Sequence, residues 1–499
     1  MRNRIKECIF LTNLYSQTAI ATNGLMRWTR KLLFPQRGSA LSVDSIGELV
    51  AGVLIILGVF LIILCGLLTS GHMEEVIAML YAYDWGPAYL FLGRAMFFTN
   101  AAAFIWRVAL VTRYSPVKEC TDEQLPSCTV IVPAYNEGMQ VLYTLRSVVN
   151  SDYPAKKIQV IAVDDGSVDD TWVWMQRAEK ESDSRIKTIR LPRNQGKRTA
   201  LWVGFMASTG EVLITIDSDS IIEPQTLRRL VSPFYYDKNI GGVAGCVRVL
   251  NKEQGIIPRM LDVSFAYSFD FIRGSQSVVN TVFCTPGALA AYRREPLMKC
   301  LDKWKNQKFL GRPATIGEDR ALTNFILEQG YHVTFQSDAI VYTNVPVNYQ
   351  GLCKMFLRWA RSNVRETLVM GKFIFKKFRQ SPALGARINF LLSLISLIMP
   401  QFLLVGLLFC IYWQPVVFLI QILMASSIVA TIPAVFYVWR RRSTGAVWSF
   451  VYGAFWCFGL AWITPWSILT VRNGKWLTRN FPTNLQPTPR VSVIQRPAA

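Results

Sequence analysis

One segment near the N-terminus, Leu49–Leu68, contains no charged residue. At a rise of 1.5 Å per residue, a helix of about 20 residues crosses the roughly 30 Å hydrocarbon core of a bilayer. Backbone groups inside lipid must satisfy their own hydrogen bonds, and a helix does this within a single segment. The segment therefore predicts a transmembrane helix, and the remainder of the chain must be arranged around a membrane.

Four further apolar stretches follow along the chain. They are Ala88–Val111, Phe390–Trp413, Val416–Trp439 and Ala446–Thr470. Within Ala88–Val111, the Arg107 side chain can extend to the membrane surface. Arg94 lies deeper in this stretch and is expected to face protein or the outer surface. Charged residues make up only 17% of the chain, below the roughly 25% of soluble domains. We expect an integral, multi-pass membrane protein, and no cleavable signal peptide.

Basic residues indicate the orientation of these spans. The segment 1–48 is basic, whereas the loop Ser70–Pro87 has acidic residues and no Lys or Arg. Because Lys and Arg accumulate in cytoplasmic loops, the N-terminus and the long polar region are predicted to be cytoplasmic. Ala446–Thr470 has basic residues on both sides, Arg440–Arg442 before it and Arg472 after it. We therefore predict that it enters and returns, or lies in the cytoplasmic leaflet, which leaves four true spans.

The net charge of +21 has the same membrane explanation. No helix-turn-helix, zinc-finger or RNA-binding signature accompanies it, so we expect no nucleic-acid partner. With two histidines and no C-x-x-C pair, a zinc site of the usual kind is not expected either.

The polar region 118–345 alternates short apolar runs with helical patterns, which predicts an α/β domain with a mainly parallel sheet. The predicted strands are Cys128–Val132, Gln159–Val163, Val212–Ile216 and Gly242–Val249, and the predicted helices Val141–Val149 and Thr199–Met206. The predicted organisation is a basic segment 1–48, two transmembrane helices in 49–111, the domain 118–345, interfacial amphipathic helices in 346–388, a transmembrane region 389–480 and a disordered tail 481–499.

Acidic residues follow two of these strands. Asp217 and Asp219 come directly after Val212–Ile216, at a carboxyl strand end where ligands bind in open α/β sheets. Two carboxylates there suit Mg²⁺ or Mn²⁺ bridging a diphosphate, although Asp-x-Asp also occurs in ordinary turns. Asp164 and Asp165 also end a strand, where a carboxylate accepts hydrogen bonds from a base or ribose. The alternative there is a turn leading into a helix N-cap.

Four further residues are candidates for binding a nucleotide. Tyr135 and Glu137 end the first strand, where they would contact a base or only shape a loop. Lys197 and Arg198 open a predicted helix, and cations at a helix start suit phosphate.

Two more motifs contain residues that suit proton transfer and ligand binding. Glu318 and Asp319 precede a helical pattern, and a positioned carboxylate can take the proton of an attacking hydroxyl. Alternatively, the two acidic residues only stabilise the start of a helix, where negative charge is favourable. Arg358 offers a bidentate fork to a diphosphate and Trp359 an apolar face to a sugar ring, or the pair anchors the chain at the interface.

Together these motifs resemble, in order, the processive family 2 glycosyltransferases, which include hyaluronan, chitin and cellulose synthases. The motifs are Pro133–Glu137, Asp164–Ser167, Gly196–Arg198, Asp217–Asp219, Gly317–Arg320 and Arg358–Trp359. The stretch Asn306–Pro313 resembles bacterial hyaluronan synthases, and Arg358–Ser362 resembles rhizobial chitin-oligosaccharide synthases. The resemblance extends from about Pro126 to Arg479.

That resemblance implies a GT-A (Rossmann-like) domain between transmembrane helices, with the metal at Asp219 and Asp217. It also implies Asp319 as general base, Arg358 on the diphosphate and Trp359 on the acceptor. The further residues that it implies are Cys284 and Gly287 in a loop beneath the acceptor and Trp476 and Arg479 in a loop that closes over the nucleotide. Two residues depart from the family pattern, Met355 in place of the usual Gln and Leu477 in place of Gly.

We therefore expect an inverting β-glycosyltransferase that polymerises UDP-sugars and passes the polysaccharide across the membrane. The Asn306–Pro313 stretch favours hyaluronan, from UDP-N-acetylglucosamine and UDP-glucuronate, over a chitin-, cellulose- or other β-glucan-type product. A transferase that places one sugar on a lipid carrier is the nearest rival, and a non-catalytic sensor of nucleotide sugars or a plain transporter are others. The expected partners are the donor, the growing polymer and membrane lipid.

Overall fold

The computed structural model describes residues 43–474. Residues 1–42, the predicted closing loop with Trp476 and Arg479, and the predicted disordered tail 481–499 lie outside the described residues.

An eight-stranded mixed sheet forms the centre of the polar region. Its strands and those of a separate two-stranded hairpin are β1 Cys128–Ala134, β2 Ile158–Asp164, β3 Ile186–Arg190, β4 Val212–Thr215, β5 Ser220–Ile222, β6 Ile240–Val249, β7 Ala290–Arg293, β8 Lys308–Phe309, β9 Arg312–Pro313 and β10 His332–Thr343. The strand order is β3-β2-β1-β4-β7-β6-β10-β5. The strands β3, β2, β1 and β4 pair in parallel, as do β6 and β10, while β7 and β5 run antiparallel to their neighbours. The predicted mainly parallel sheet is thus observed, with two reversed strands.

Helices cover this sheet on both faces, which is why every residue of β1 and β4 is buried. In the polar region they are α4 Gln140–Val149, α5 Thr171–Glu181, α6 Lys197–Ala207, α7 Thr226–Val231, α8 Pro233–Tyr236, α9 Ile256–Ala266, α10 Gly274–Val278, α11 Arg294–Lys305 and α12 Glu318–Glu328. A π-helical segment, Tyr267–Arg273, joins α9 to α10.

The helices outside this domain are mostly apolar. They are α1 Val43–Leu68, α2 Ser70–Tyr81, α3 Gly86–Val111, α13 Tyr349–Gly371, α14 Leu384–Trp413, α15 Pro415–Arg441, α16 Trp448–Phe455 and α17 Ile463–Leu469. Among residues 43–474, α1, α3, α14 and α15 are long and apolar enough to cross a membrane. The connection Ser70–Pro87, expected to be a loop, contains α2, because Val76 and Leu80 lie one turn apart and are both buried.

The predicted interfacial region begins with one helix, α13, whose N-cap residue is Asn348. The Asn348 side chain accepts a hydrogen bond from the backbone nitrogen of Gly351 at 2.8 Å. Beyond Gly371 the chain is irregular up to Leu384. The helical turn that carries Arg365 packs one face of α13 against the α/β domain.

The last apolar stretch, Ala446–Thr470, is not one straight helix. Its helical pieces meet at a bend of 41°. Just before it, Arg441 forms an ion pair with the buried Asp270 of the α/β domain at 3.1 Å. Just after it, Arg472 donates to the carbonyl of Leu310 at 3.3 Å. Both ends of the stretch therefore contact the same domain.

Candidate active site

Two acidic residues lie where β4 ends, as the sequence predicts. Asp217 lies two residues beyond the strand, and Asp219 immediately precedes β5. One oxygen of Asp219, Oδ1, accepts from the hydroxyls of Ser220 at 3.2 Å and Thr343 at 3.4 Å. Burial and the nearby Asp217 carboxylate raise the pKa of Asp219. Two oxygen-bearing side chains thus share one strand end.

A buried cation, Lys197, lies between two of the predicted motifs. Gly196 adopts φ 89°, and α6 begins at the next residue. The Lys197 Nζ contacts Asp217 Oδ1 and lies 3.0 Å from Glu318 Oε1. Burial opposes the charged form of this amine, but the two carboxylates outweigh burial and raise the pKa of Lys197. The amine therefore stays protonated and joins the metal motif to the acidic helix start.

Glu318 and Asp319 form the first turn of α12, preceded by Gly317 in the left-handed conformation at φ 66°. A Cβ on Gly317 would collide with Ser362 Oγ on α13, so only glycine allows the two elements to approach this closely. Arg365 of the same helix donates to the carbonyl of Ile316. The acidic turn is thus held directly against α13.

The two carboxylates of this turn differ in their environment. Burial would raise the pKa of Glu318, but Lys197 and Arg358 outweigh it and lower that pKa to about 2. For Asp319, burial and the Glu318 carboxylate raise the pKa. Glu318 is therefore a fixed anion, whereas Asp319 has the greater affinity for a proton.

The predicted acceptor loop lies against Asp319. The backbone nitrogen of Gly287 donates to Asp319 Oδ2 at 3.3 Å, and Cys284 Sγ lies 3.8 Å from the same oxygen. A Cβ on Gly287 would lie 2.9 Å from the Lys197 amine. Arg273 holds the loop from behind by donating to the Cys284 carbonyl at 3.1 Å.

These residues enclose a small cavity. It is lined by Pro133, Lys197, Leu201, Phe205, Thr215, Asp217, Gly287, Tyr292, Trp304, Glu318, Asp319 and Leu322. The structure therefore brings together motifs that are far apart in the sequence.

Arg358 and Trp359 lie on α13, the helix against which the acidic turn packs. The Arg358 charge helps to lower the pKa of Glu318, and it partly offsets the effects that raise the pKa of Asp319. Trp359 is 41% exposed. Its ring lies 6.1 Å from that of Phe265 and 5.7 Å, edge to face, from that of Phe356. An aromatic surface is therefore exposed on the helix that carries Arg358.

The remaining strand-end residues form the other side of the site. Asp165 is buried, and its Oδ1 accepts from the backbone nitrogen of Gln195 at 2.8 Å. Asp164 pairs with Arg190 at 3.2 Å. Tyr135 and Glu137 are half-buried in the loop after β1, and Thr171 Oγ1 accepts from the Glu137 backbone nitrogen at 2.8 Å.

Arg198 points away from the Lys197 amine. It donates to the Trp304 carbonyl and to Gln307 Oε1 at 3.1 Å, and its guanidinium lies 5.1 Å from the Trp304 ring centroid. Burial lowers its pKa to about 10. The structure thus separates the two neighbouring basic residues, with Lys197 at the cavity and Arg198 inside the domain.

Sequence reasoning missed the buried pair Arg365–Glu366. Arg365 Nε lies 2.8 Å from Glu366 Oε1. The carboxylate also accepts from Gln307 Nε2 at 3.1 Å and from Asn324 Nδ2 at 3.0 Å. The available signal was spacing, because Arg365 is seven residues after Arg358 and so lies on the same face of α13.

Comparison with known proteins agrees with this arrangement. The profile "Glycosyl transferase family 2" matches residues 129–301. An N-acetylglucosaminyltransferase of Mesorhizobium japonicum is 30% identical over 371 residues, which cover 73% of this chain and 85% of the relative. A hyaluronan synthase of Streptococcus pyogenes is 30% identical over 358 residues, 70% of this chain and 82% of the relative.

A solved structure shows the same fold. The mannosyltransferase PcManGT from Pyrobaculum calidifontis, in complex with GDP-Man and Mn²⁺, is 22% identical with a TM-score of 0.51. The match covers 72% of this chain and 97% of that one. With the sheet described above, this confirms the predicted GT-A fold. The chain belongs to the family 2 glycosyltransferases.

Proposed function

We propose that the chain transfers a sugar from a UDP-sugar to the hydroxyl end of a growing β-linked polysaccharide, with inversion, and passes the product across the membrane. The observation that carries this proposal is the position of Asp319. Its carboxylate lies between the acceptor loop at Gly287 and the charged cluster of Lys197 and Glu318. A base between a donor site and an acceptor site is what glycosyl transfer requires.

In the proposed step, the acceptor hydroxyl gives its proton to Asp319 as its oxygen bonds to the sugar's anomeric carbon. The bond from that carbon to the diphosphate breaks on the opposite face, and UDP leaves. The raised pKa of Asp319 favours this proton transfer. Glu318, held as an anion by Lys197, keeps its charge throughout.

Asp217 and Asp219 would hold the divalent cation. Their donors are all oxygen, which fits Mg²⁺ or Mn²⁺. Within residues 43–474 no group of three or more His, Cys, Asp or Glu side chains could hold a metal. Oxygens of a bound diphosphate would be further ligands of the type that these cations prefer. When bound, the cation neutralises charge on the departing diphosphate.

The other side chains divide between donor and acceptor. Tyr135, Glu137 and Asp165 would bind uridine, because they share the edge of the sheet at the ends of β1 and β2. Arg358 would bind the diphosphate through its planar fork. Lys197 would add positive charge beneath it, while Arg198 supports the site from inside the domain.

Trp359 would stack on the terminal sugar of the acceptor. Its exposed ring continues through Phe265 on α9. This helix packs against the membrane helix α15, where Tyr437 donates to Asp262 at 2.6 Å. A polymer leaving the site along this surface would reach the membrane helices directly, which supports coupled translocation.

The contacts at both ends of Ala446–Thr470 support entry and return on the cytoplasmic side. Gly474 accepts a hydrogen bond at its carbonyl from Thr315 Oγ1 at 2.5 Å. Thr315 is three residues before Glu318, so the chain reaches the rim of the active site where the proposed closing loop begins. The family resemblance assigns nucleotide binding to Trp476 and Arg479, which lie outside the described residues.

The test is product analysis. Membranes that contain the chain are incubated with single and paired UDP-sugars. We expect polymer only when UDP-N-acetylglucosamine and UDP-glucuronate are both present, and a product cut by hyaluronidase. Polymer formed from UDP-N-acetylglucosamine alone would show that the product is chitin-like and not hyaluronan. Transfer of a single sugar to a lipid would overturn the processive function.

A further inference from the structure

We propose that a groove on α3 binds an anionic phospholipid, with its phosphate on Arg94. The groove has a volume of about 510 Å³ and lies between α2, α3 and α14. The lining residues that matter here are Tyr89, Gly93, Arg94, Phe97, Phe98 and Phe402. Apart from Arg94 the lining is uncharged and mostly apolar, which suits an acyl chain.

The shape of the groove follows from the sequence of α3. Its lining positions from Tyr89 to Phe98 are adjacent pairs that recur every four residues and form one broad face of the helix. At the end of the groove nearest the start of α3, the Tyr89 ring stacks on the Phe402 ring with their centroids 4.3 Å apart. Phe97 and Phe98 are each 68% exposed and leave the side open. Gly93 allows the Phe402 ring to approach α3 closely, since a Cβ at this position would lie 3.2 Å from that ring.

The depth of Arg94 points to a charged ligand. It lies eight residues into α3, about 12 Å from the helix start at Gly86. The opposite end of α3 adjoins the α/β domain, where Gly274 lies against Val111 and Tyr114. Arg94 is thus in the half of the membrane far from that domain. Helical side chains lean towards the N-terminus, so its guanidinium is directed to the far surface.

Arg94 has no acidic neighbour along α3 or α14. Neither helix contains Asp or Glu, and no lining residue of the groove is acidic. On α2, Glu74 is exposed and does not line the groove, and Glu75 accepts a hydrogen bond from Gln414 at 3.2 Å. A cation within the hydrocarbon layer is costly unless a partner compensates its charge. A lipid phosphate supplies the missing negative charge while its acyl chain fills the groove along Phe97 and Phe98.

Native mass spectrometry tests this proposal on the full chain in nanodiscs of phosphatidylcholine with phosphatidylglycerol as a minor component. We expect the wild type to retain phosphatidylglycerol after the bulk lipid is removed. Arg94→Gln should retain it roughly fivefold less, the ratio for a loss of about 1 kcal/mol per basic residue. Arg94→Lys should retain it, because the charge remains. The control Arg113→Gln removes an exposed charge after the other end of α3 and should behave as wild type.

Three results would overturn the proposal. Equal retention of phosphatidylglycerol by Arg94→Gln would show that Arg94 is not the contact. Equal retention of phosphatidylcholine and phosphatidylglycerol by the wild type would remove the role of charge. Disulfide cross-linking between copies through Phe97→Cys would show that a second chain covers the groove. Monodisperse elution of each variant confirms that it is folded, and none of these results depends on the sugar that the enzyme transfers.

Discussion

The buried pair Arg365–Glu366 provides a demanding test of how the active site is held. Both side chains are at most 3% exposed. Arg365 donates to the carbonyl of Ile316, two residues before Glu318. Removal of one member leaves the other as an uncompensated buried charge, which costs about 3–5 kcal/mol. We therefore expect Glu366→Leu and Arg365→Met each to destabilise the protein by about that amount.

The losses of stability in Glu366→Leu and Arg365→Met should differ in size, and their sum should exceed the loss in the double variant. Glu366→Leu also removes the carboxylate that accepts from the half-buried Gln307 and the buried Asn324. The Asn324 amide keeps the carbonyl of residue 366 as an acceptor, but each lost hydrogen bond to a charged group costs about 1.5–3 kcal/mol. Glu366→Leu should therefore be the more damaging single change. The double variant should be more stable than the sum of the single losses predicts, because an ion pair replaced by apolar groups of similar volume is often nearly neutral.

Thermal unfolding in detergent, followed by tryptophan fluorescence, measures these changes. For a domain of about 200 residues, 3 kcal/mol corresponds to a fall in Tm of roughly 6–12 °C. The control Arg177→Met breaks an exposed pair with Glu181 and should cost less than about 1 kcal/mol. At permissive temperature, loss of the Ile316 contact should lower kcat more than it raises KM. Simple addition of the two single losses would refute the reasoning.

Three further predictions address the chemistry and the topology. EDTA should stop synthesis, Mn²⁺ or Mg²⁺ should restore it, and Asp219→Asn should not be rescued; full activity in metal-free buffer would contradict the metal assignment. Trp359→Ala should reduce elongation more than hydrolysis of the UDP-sugar, whereas equal loss of both would favour a structural anchor. A cysteine at Asn480 should resist a membrane-impermeant thiol reagent in intact cells and react once the membrane is opened; ready labelling in intact cells would show that Ala446–Thr470 spans.

Much of the fold was predictable because it depends on local pattern. The apolar runs that became β1, β2, β4 and β6 are buried strands, and the polar residues that follow β1, β2 and β4 lie at one edge of the sheet. The long charge-free segments became helices for an equally local reason. The antiparallel β7 was not predictable, because Ala290–Arg293 is short and its insertion between β4 and β6 depends on distant pairing.

The arrangement of the site was less accessible. Lys197 and Arg198 are adjacent in the sequence and open the same helix, yet one contacts Asp217 and the other Trp304. Helical geometry rotates consecutive residues by about 100°, so the Lys197 and Arg198 side chains leave α6 in different directions. Glu366 escaped notice because its partners Gln307 and Asn324 come from other elements. Such contacts between distant segments exist only in the folded chain.

The central claim is that Asp319 takes the proton of the acceptor hydroxyl. Polymer synthesis by the purified Asp319→Asn variant, compared with wild type under saturating UDP-sugar, tests it most directly. The amide keeps the shape of the side chain and cannot accept that proton. We predict turnover at least ~10²-fold lower, the scale for removal of a general base, with UDP binding retained. Near-normal polymer synthesis by this variant would contradict the assignment.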